Sequence, residues 1–470
     1  MKAIGRISVP TTVTGLVLYS RAMVSMLFLG YLGEMELAGG SLAIGFANIT
    51  GYSVLSGLAM GMEPICGQAF GAKQRKLLGL ALQRTVLLLL SASVPISIIW
   101  LNIAGILTWC GQDQNIASTA GKFISFAVPD LVLLSVLYPL RIYLRTQSIT
   151  LPLTFCSAAS VVLHVPLNYF LVVRLRMGIA GVALSMVLTN LNLCLSLLCY
   201  ILPGVDCLRG WSALLRLAVP TCASVCLEWW WYELMILLCG LFVNPQATVA
   251  SMGILIQTTS LVYVFPSSLS LGVSTRVGNE LGARRPAGAR AAALVALACA
   301  VLMGAPVGRL FTSDKEILRL TALALPIAGL CELGNCPQTT ACGILRGSAR
   351  PNAGANINLG SFYLVGTPVA VLLAFVSGMG FAGLWIGLLA AQTSCVVLMW
   401  LVISRTDWVA EMERARQLTK ASSPTSTSME ALQDIAKAKV SDLEGILCVG
   451  DGDEEVREKV PLDTDPFLLA

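Results

Sequence analysis

One carboxylate stands in the middle of an apolar stretch of helix length. Glu228 lies within residues 220–240, which read PTCASVCLEWWWYELMILLCG. A charged side chain at the depth of a bilayer is costly, so it is retained where it faces a cavity, a partner or a proton pathway. We therefore expect Glu228 to exchange a proton. The alternative is a carboxyl group that is paired, or kept protonated, only to hold helices together.

Aromatic residues follow Glu228 closely and predict the wall of a cavity. Residues three and four positions further along a helix lie on nearly the same face as Glu228. Aromatic side chains in such a wall hold aromatic or cationic solutes by stacking and cation–π contacts. Plain packing, or a place in a lipid-facing belt, is an equal alternative for any single one. The predicted substrate cavity is lined by Trp229, Trp231, Tyr232, Gln257 and Tyr263.

The elements that must position these residues are membrane-spanning helices. Hydrophobic residues make up 56% of the 470 positions, charged residues make up 12%, and the mean hydropathy is +0.78. A helix needs roughly 17 to 25 apolar residues to cross a bilayer. Stretches of that length predict an all-α polytopic membrane protein with twelve transmembrane helices. They lie near residues 9–32, 40–64, 85–107, 123–144, 151–173, 178–202, 214–241, 247–272, 291–308, 320–344, 357–376 and 380–403.

Lys and Arg are distributed unequally between the two ends of these helices. Most of them, including Lys73, Arg145 and Arg346, gather on one side. Because positively charged loops stay in the cytosol, we expect both termini to be cytosolic. Residues 409–470 are polar and predict a disordered cytosolic tail. The predicted localisation is a multi-pass protein of the plasma membrane or of an endomembrane, namely vacuole, Golgi or endosome.

Two parts of the chain repeat each other. Val9-Pro10-Thr11 opens the first predicted helix, and Val219-Pro220-Thr221 opens the seventh, 210 residues later. Internal repeats of this kind are typical of transporters. They predict two six-helix repeats in the same orientation, an N-lobe over residues 1–205 and a C-lobe over residues 206–408.

The second repeat is shorter than the first. Gly67 and Gly278 are 211 residues apart, whereas Gly178 and Gly380 are 202 apart. We place the missing residues in or beside the ninth predicted helix. That helix, at residues 291–308, is barely long enough to cross a bilayer core.

Two related motifs occur at the ends of the second and eighth predicted helices. Residues 63–72 read EPICGQAFGA, and residues 276–283 read RVGNELGA. Their glycines allow close packing of helices. Together these motifs resemble the plant branch of the MATE (multidrug and toxic compound extrusion) transporters, the DETOXIFICATION proteins, and the resemblance covers roughly residues 4–408. The motif residues are Glu63, Pro64, Gly67, Gln68, Gly71, Arg276, Asn279, Glu280 and Gly282.

The resemblance implies a V-shaped pair of lobes around a central cavity that opens alternately to each side. It also implies cation-coupled export of organic solutes, with protons as the usual driver in plants. Glu228 matches an acidic residue that such transporters are thought to protonate. The family's other acidic position falls at Asn335, and Glu332, about 300° earlier on the same helix, could replace it. Ser25 stands where bacterial relatives have aspartate, so we place proton coupling at Glu228, Glu332 and Asn335 of the C-lobe.

Other polar residues inside the predicted helices are given structural roles. We expect Glu63 to pair with Arg21 or with basic residues at the cytosolic end. Glu233 lies about 140° round the helix from Glu228 and is expected to point elsewhere. His164 is expected to be a hydrogen-bonded histidine of its helix, with proton relay as the alternative. Asp130 is interpreted as a helix-terminus carboxylate.

The sequence contains no nucleotide-binding loop, catalytic triad or zinc-ligand spacing. We therefore expect no enzyme activity, no metal and no cofactor, with a proton gradient as the energy source. The leading interpretation is proton-coupled antiport of small organic solutes or xenobiotics. The alternative is an anion channel or uniport carrier on the same fold, and a lipid-linked sugar flippase or a nonfunctional variant are further alternatives. The expected partners are the solute, protons and the bilayer, with no nucleic acid, and the chain is expected to be a monomer.

Overall fold

The computed structural model describes residues 2–110, 112–201, 211–239, 241–242, 245–307 and 317–421. Within these ranges all regular structure is helical, and residues 1–422 form one compact unit. The first repeat contains α1 (Lys2–Leu32), α2 (Glu34–Ala47), α3 (Ser53–Met60), α4 (Met62–Gly71), α5 (Arg75–Leu101), α6 (Ile103–Trp109), α7 (Gln114–Thr146), α8 (Leu151–Asn168) and α9 (Ile179–Ile201).

The second repeat follows the same order of elements. Short π-helical segments continue the fifth and eleventh membrane stretches at Tyr169–Arg174 and Leu372–Val376, 203 residues apart, and others lie at Asn48–Tyr52 and Leu359–Gly366. The helices of this repeat are α10 (Trp211–Cys239), α11 (Pro245–Gly282), α12 (Pro286–Val307), α13 (Ile317–Gly347), α14 (Pro351–Asn358), α15 (Thr367–Val371) and α16 (Phe381–Ser404), and α17 (Trp408–Ala421) comes after it.

All twelve predicted membrane stretches coincide with helical segments. Length and composition alone qualify nine of the described segments to cross a bilayer, and α12 contributes a shorter apolar helix at Pro286–Val301. The long helices α11 and α13 account for the other two predicted stretches. The nine are Ala3–Leu32, Met35–Gly71, Arg75–Leu101, Gln114–Thr146, Leu151–Arg174, Ile179–Cys199, Leu214–Cys239, Pro351–Val376 and Phe381–Ser404.

The repeat extends to the backbone geometry of the turns. Lys73 (φ 60°) follows α4, and Arg284 (φ 59°) follows α11 at the equivalent position. Ser148 (φ 61°) and Ala349 (φ 58°) likewise follow α7 and α13. Positive φ is uncommon for residues other than glycine. Its recurrence at equivalent positions shows that both repeats leave these helices through the same turn.

The shortening of the second repeat lies between the start of α12 and the end of α13. α12 begins 211 residues after α5, whereas α13 ends 201 residues after α7. The first repeat has the extra helix α6 in this interval, and residues 308–316 of the second lie outside the described ranges. α12 has 22 residues because it begins at Pro286, before the predicted stretch at residues 291–308. Its described apolar part, Pro286–Val301, is shorter than the nine segments above, in keeping with the predicted short ninth helix.

Three large hydrophobic clusters hold the described helices together, and a small fourth cluster joins Ala69, Leu77 and Leu78. One belongs to the first repeat, with Trp100 and Phe123 among its largest side chains. The second repeat has two, one around Trp231, Phe362 and Trp385 and another that includes Ile344, Met399, Trp408 and Ala415. Because lipid tails are as apolar as these side chains, close packing rather than escape from water stabilises such contacts.

The prediction of disorder from residue 409 onward is wrong for its first part. Residues 408–421 form α17, and the remainder of the predicted tail, residues 422–470, lies outside the described ranges. Buried residues recur at helical spacing at Trp408, Glu411, Ala415 and Thr419. They face α4, α11 and α12. This amphipathic pattern is what a helix resting on the protein surface requires, and the polar composition concealed it.

Candidate functional site

The two motif-bearing helix ends meet at one end of the bundle. There α3 and α4 of the first repeat contact α10, α11 and α13 of the second. We call this contact the seam. The end of the bundle that contains it is called the basic end, after its arginines Arg145, Arg276, Arg285 and Arg346.

Glycines of the two motifs make the seam possible. A Cβ on Gly67 would lie 3.4 Å from the Cα of Gly278, and one on Gly71 would lie 2.9 Å from the carbonyl carbon of Asn279. A Cβ on Gly282 would meet the backbone of α4 at 2.7 Å. Small residues let helix backbones approach this closely within a bilayer. The seam is therefore closed in this structure through backbone contact between α4 and α11.

Pro64 lies where the second membrane stretch is interrupted. α3 ends at Met60 and α4 begins at Met62, so Pro64 falls in the first turn of α4. Proline is tolerated in a first turn because the missing N–H would have no helical partner there.

A buried carboxylate lies at the centre of the seam. Glu63 is 1% exposed, and its Oε1 lies 3.3 Å from Nη2 of Arg145 in the same repeat. Its Oε2 lies 3.7 Å from Nη1 of Arg346 in the other repeat. The prediction that basic-end residues pair with Glu63 is confirmed. Arg21, the other predicted partner, instead donates to Oδ1 of Asn190 at 2.5 Å.

The equivalent motif of the second repeat holds its own ion pairs. Glu280 is 3% exposed; it pairs with Arg276 on the same helix and lies 3.1 Å from Nε of Arg285. Two motif amides cross the seam: Gln68 donates to α13, and Asn279 donates to α7. The motif residues therefore bind the repeats to each other at the basic end.

Glu228 borders a cavity of about 310 Å³ beside the seam. Tyr263 of α11 borders the same cavity as Glu228. The first repeat closes the cavity through Asn48 and Ile49, and Nε1 of the neighbouring Trp230 donates to the carbonyl oxygen of Ile49 at 3.2 Å. Glu228 thus lies in a hollow between the repeats, as the sequence predicts. The second repeat supplies Trp229, Tyr232, Glu233, Ile256, Thr259, Ser260, Tyr263 and Asn335.

A smaller cavity of about 110 Å³ also borders Glu228, on the side toward the basic end. Hydroxyl groups, the thioether of Met60 and the guanidinium of Arg346 line it. A water molecule occupies about 30 Å³ of liquid, so this cavity accommodates a few waters or one small polar group. Its hydroxyl-bearing residues are Thr221, Ser224, Tyr263, Ser267, Ser270 and Thr339.

Glu332 lies behind the wall of the larger cavity. It is 5% exposed, and Nδ2 of Asn335 donates to its Oε2 at 3.0 Å. Asn335 itself faces the cavity, and its Oδ1 accepts from Thr339 at 3.1 Å. Asn335 thus binds Glu332 and lines the same cavity as Glu228, so the three predicted coupling residues are neighbours.

The predicted aromatic lining is correct in part. Trp229, Tyr232 and Tyr263 line the cavity. Trp231 does not: it is 1% exposed, packs against Phe362 and donates from Nε1 to that residue's carbonyl oxygen at 3.1 Å. Its assignment to the cavity is wrong because the ring turns into the core of the second repeat. The side chain of Gln257 lies outside the described residues.

Glu233 was expected to point away and instead lines the same cavity as Glu228. No ion pair to it is formed by the described part of the chain. The cavity therefore has a second carboxyl group on α10. More of the circumference of that helix faces the cavity than predicted.

The polar residues of the first repeat form a separate buried network. His164 is hydrogen-bonded as predicted, with Nδ1 2.7 Å from Oγ1 of Thr189 and Nε2 3.0 Å from Oγ of Ser25. Asp130 lies inside α7 rather than at a helix terminus, and its Oδ1 accepts from Nδ2 of Asn190 at 2.6 Å. The expectation for Asp130 is wrong because α7 begins sixteen residues earlier, at Gln114, where Asp113 is the N-cap.

Arg346 is the cavity residue that the sequence analysis missed. It was counted only as one of the arginines that orient the chain. A signal was present, because Arg346 repeats Arg145 and both follow directly on apolar helix. As for metals, no cluster of three or more His, Cys, Asp or Glu suited to a metal ion occurs among the residues that the structure describes.

Comparisons with known proteins agree on one family. The family model described as MatE matches residues 10–170 and 220–372. Protein DETOXIFICATION 48 of Arabidopsis thaliana is 66% identical over 461 residues, covering 93% of this chain and 86% of that protein. Protein DETOXIFICATION 49 of the same plant is 61% identical over 440 residues, covering 89% and 88%. The crystal structure of the eukaryotic MATE transporter AtDTX14 is similar, with a TM-score of 0.84, 32% identity, and coverage of 89% of this chain and 98% of that one.

Proposed function

This chain belongs to the MATE family of transporters, and from that premise we propose that it exchanges small organic solutes for protons by alternating access. The observation that carries the proposal is the position of Glu228. It lies between two cavities at mid-helix depth, and no arginine or lysine of the described residues forms an ion pair with it. A carboxyl group placed in this way can be neutralised by a proton or by a cation, but not by both together.

The proposed exchange follows from this competition. With the cavity open to the cytosol, a cationic or amphipathic solute displaces the proton from Glu228 and rests against Trp229, Tyr232 and Tyr263. Aromatic faces attract cations, so the wall and the carboxylate bind the same kind of solute. After the protein reorients, a proton from the opposite side displaces the solute.

Glu332 contributes a second carboxyl group without facing the solute directly. Asn335 donates to it and also faces the cavity. A change in the protonation of Glu332 therefore reaches the cavity through the orientation of the Asn335 amide. In this proposal the basic end faces the cytosol, in keeping with the preference of positively charged loops for that side. The site lies within a single chain, so a monomer is sufficient.

Proteoliposomes with an imposed pH gradient test the proposal. A fluorescent aromatic cation, ethidium, is the probe, and uphill movement driven by the gradient is the expected result for the unaltered chain. Glu228→Gln removes the titrating group at nearly constant size and is expected to abolish uphill movement. Glu413→Gln, on the solvent-exposed face of α17, is the matched control and should behave like the unaltered chain.

Two outcomes would contradict the proposal. Ethidium that moves only down its own gradient, whatever the pH, would indicate a uniport carrier or channel. Uphill movement that survives in Glu228→Gln with unchanged pH dependence would place the coupling group elsewhere.

A further inference from the structure

We propose that Arg346 is the positioning residue that links the occupancy of Glu228 to closure of the seam. This inference rests on the proposed function, because it assumes that Glu228 exchanges a proton for solute. It adds the part of the protein that senses whether the exchange site is filled.

The guanidinium of Arg346 reaches from one repeat to the other. It belongs to the last turn of α13, and its Nη2 donates to Oγ of Ser270 in the same repeat at 3.0 Å. Its Nη1 lies 2.7 Å from Sδ of Met60 and 3.7 Å from Oε2 of Glu63, both in the first repeat. Arg346 is therefore one of the charged side chains that hold the seam closed.

These contacts are weak for a buried arginine. A guanidinium has five N–H donors, and a thioether is a poor acceptor. Oε2 of Glu63 accepts no hydrogen bond within the described part of the structure, and the ion pair to it is too long for one. Arg145 competes for the same carboxylate from closer range, at 3.3 Å. Arg346 is thus held across the seam loosely enough for another anion to compete for it.

Glu228 is that other anion. It borders the same cavity of about 110 Å³ as Arg346, so two opposite charges face one enclosed space when Glu228 is ionised and attract each other. Arginine keeps its charge at all relevant pH values. An ionised and empty Glu228 therefore draws the guanidinium into the cavity and away from Met60 and Glu63. A proton or a cationic solute on Glu228 removes that attraction and leaves Arg346 at the seam.

The consequence is a rule for the transport cycle. The seam closes readily when Glu228 is filled by a proton or by solute, and closes poorly when it is empty and charged. An exchanger needs such a rule, since a carrier that returned empty would dissipate the gradient. Arg346 is attracted to Glu228 when Glu228 is ionised and stays at the seam when Glu228 is filled. This difference in interaction supplies the free energy that shifts the equilibrium between closed and open seam.

The thiols and phenols around this pair do not change charge over the relevant pH range, whereas the neighbouring carboxyl groups can. Around Glu228 they are Tyr232 on its own helix, Tyr263 of α11, Cys342 of α13 and Cys395 of α16. Thiols and phenols in water titrate at about 8.5 and 10. The carboxyl groups of Glu233 and Glu332 lie nearby, and Arg346 also faces Glu63 and Arg145. The test must therefore separate Glu228 from the other carboxyl groups.

The test measures seam closure directly in the full chain. Spin labels on Lys73→Cys and Arg284→Cys report the separation of the two repeats, because these exposed residues occupy the equivalent turns after α4 and α11. The native cysteines that react with label are first replaced. Pulsed dipolar distances are then recorded in liposomes between about pH 5.5 and 8. We expect the ratio of closed to open seam to fall about five- to tenfold as the pH rises, a typical size for coupling between two sites.

Four variants then identify the residues responsible. Glu228→Gln should keep the seam closed at every pH, and Arg346→Gln should leave closure independent of pH. Arg346→Lys keeps the charge and should restore part of the dependence. Arg145→Gln is the matched control, because Arg145 is the repeat-related arginine and contacts Glu63 but does not line the cavity of Glu228. It removes the competitor of Arg346 for Glu63, so it should favour closure equally at all pH values and keep the slope.

A full pH dependence in Arg346→Gln would overturn the inference, as would its loss in Arg145→Gln. If Arg346→Gln does not fold, the Glu228→Gln profile decides, since an unchanged slope there removes the proposed sensor. In either case a gradient-driven uptake that depends on Glu228 would leave the proposed function standing. Failure of that uptake in the unaltered chain would instead remove the proposed function itself.

Discussion

Gln68 and Asn279 occupy equivalent positions in the two repeats and make the same hydrogen bond across the seam in opposite directions. Nδ2 of Asn279 donates to the carbonyl oxygen of Thr146 in the first repeat at 3.3 Å. Nε2 of Gln68 donates to the carbonyl oxygen of Gly347 in the second, also at 3.3 Å. Thr146 and Gly347 are themselves the last residues of the equivalent helices α7 and α13. Each repeat therefore caps a helix end of the other.

The reciprocal bonds should contribute equally to seam closure. Gln68→Ala and Asn279→Ala should each destabilise the closed seam by about 1 kcal/mol, the usual net contribution of one hydrogen bond. The double variant should show roughly the sum. Distances between labels at residues 73 and 284 measure the closed fraction, with Gln417→Ala on the exposed face of α17 as the control. If only one of the two single variants opens the seam, the two hydrogen bonds do not contribute equally to closure, and the prediction is wrong.

A methyl group in the glycine contact should open the seam. Gly71→Ala would place a Cβ 2.8 Å from the backbone nitrogen of Ala283, and overpacking of this kind costs about 1–3 kcal/mol. Transport should slow because the closed state is penalised. Gly79→Ala is the control, since nothing lies within 4 Å of its Cβ. Label distances and initial uptake rates measure the effect, and equal behaviour of the two variants would refute it.

Substitution of two nearby tryptophans should have different effects, one on the stability of the protein and the other on solute binding. Trp231→Ala removes a core side chain and should lower the free energy of unfolding by about 3–5 kcal/mol. Trp229 is 39% exposed and faces the cavity, so Trp229→Ala should raise the KM for an aromatic cation and leave the melting temperature nearly unchanged. Thermal unfolding in detergent and uptake kinetics in liposomes measure the two effects. An unaltered KM in Trp229→Ala would remove that ring from the solute site.

The two coupling carboxyl groups should differ in importance. Glu332 accepts a hydrogen bond from Asn335 and does not face the cavity. Glu332→Gln should therefore reduce gradient-driven uptake only about threefold, in keeping with the loss of one hydrogen bond. Glu228→Gln should abolish it. Asn335→Ala should resemble Glu332→Gln, because it breaks the same link. A complete loss in Glu332→Gln would show that Glu332 itself carries the exchanged proton.

The sequence predicted the helices because apolar runs and an internal repeat determine them directly. It was less successful with the faces of α10, because a helical pattern gives angles between residues but not the direction of the cavity. At 100° per residue, Glu228, Tyr232, Trp229 and Glu233 lie at about 0°, 40°, 100° and 140°. The sequence predicts a cavity centred on Glu228, whereas in the structure Glu228 is at the edge of the cavity's arc. That displacement explains why Trp231, at about 300°, was included wrongly and Glu233 was left out.

The polar residues outside the cavity show the same limit. Composition marked residues 409–421 as tail, yet a single stripe of buried residues was enough to dock Trp408–Ala421 as α17. Arg346 was predicted to orient the chain, and its second contact depends on the packing of α13 against the first repeat. Such contacts between distant parts of the chain have no local signature.

α17 lies over the place where the two repeats meet. Trp408 and Ala415 belong to a hydrophobic cluster of the second repeat, whereas Leu418, near the last turn, packs against the cluster of the first. On the same helix, between Trp408 and Ala415, Glu411 forms an ion pair with Arg350, in which Oε1 lies 3.5 Å from Nε. If the repeats separate at this end, the last turn of α17 must therefore lose its contact with the first repeat. In this structure α17 thus fastens the two repeats to each other at the basic end, in addition to the seam.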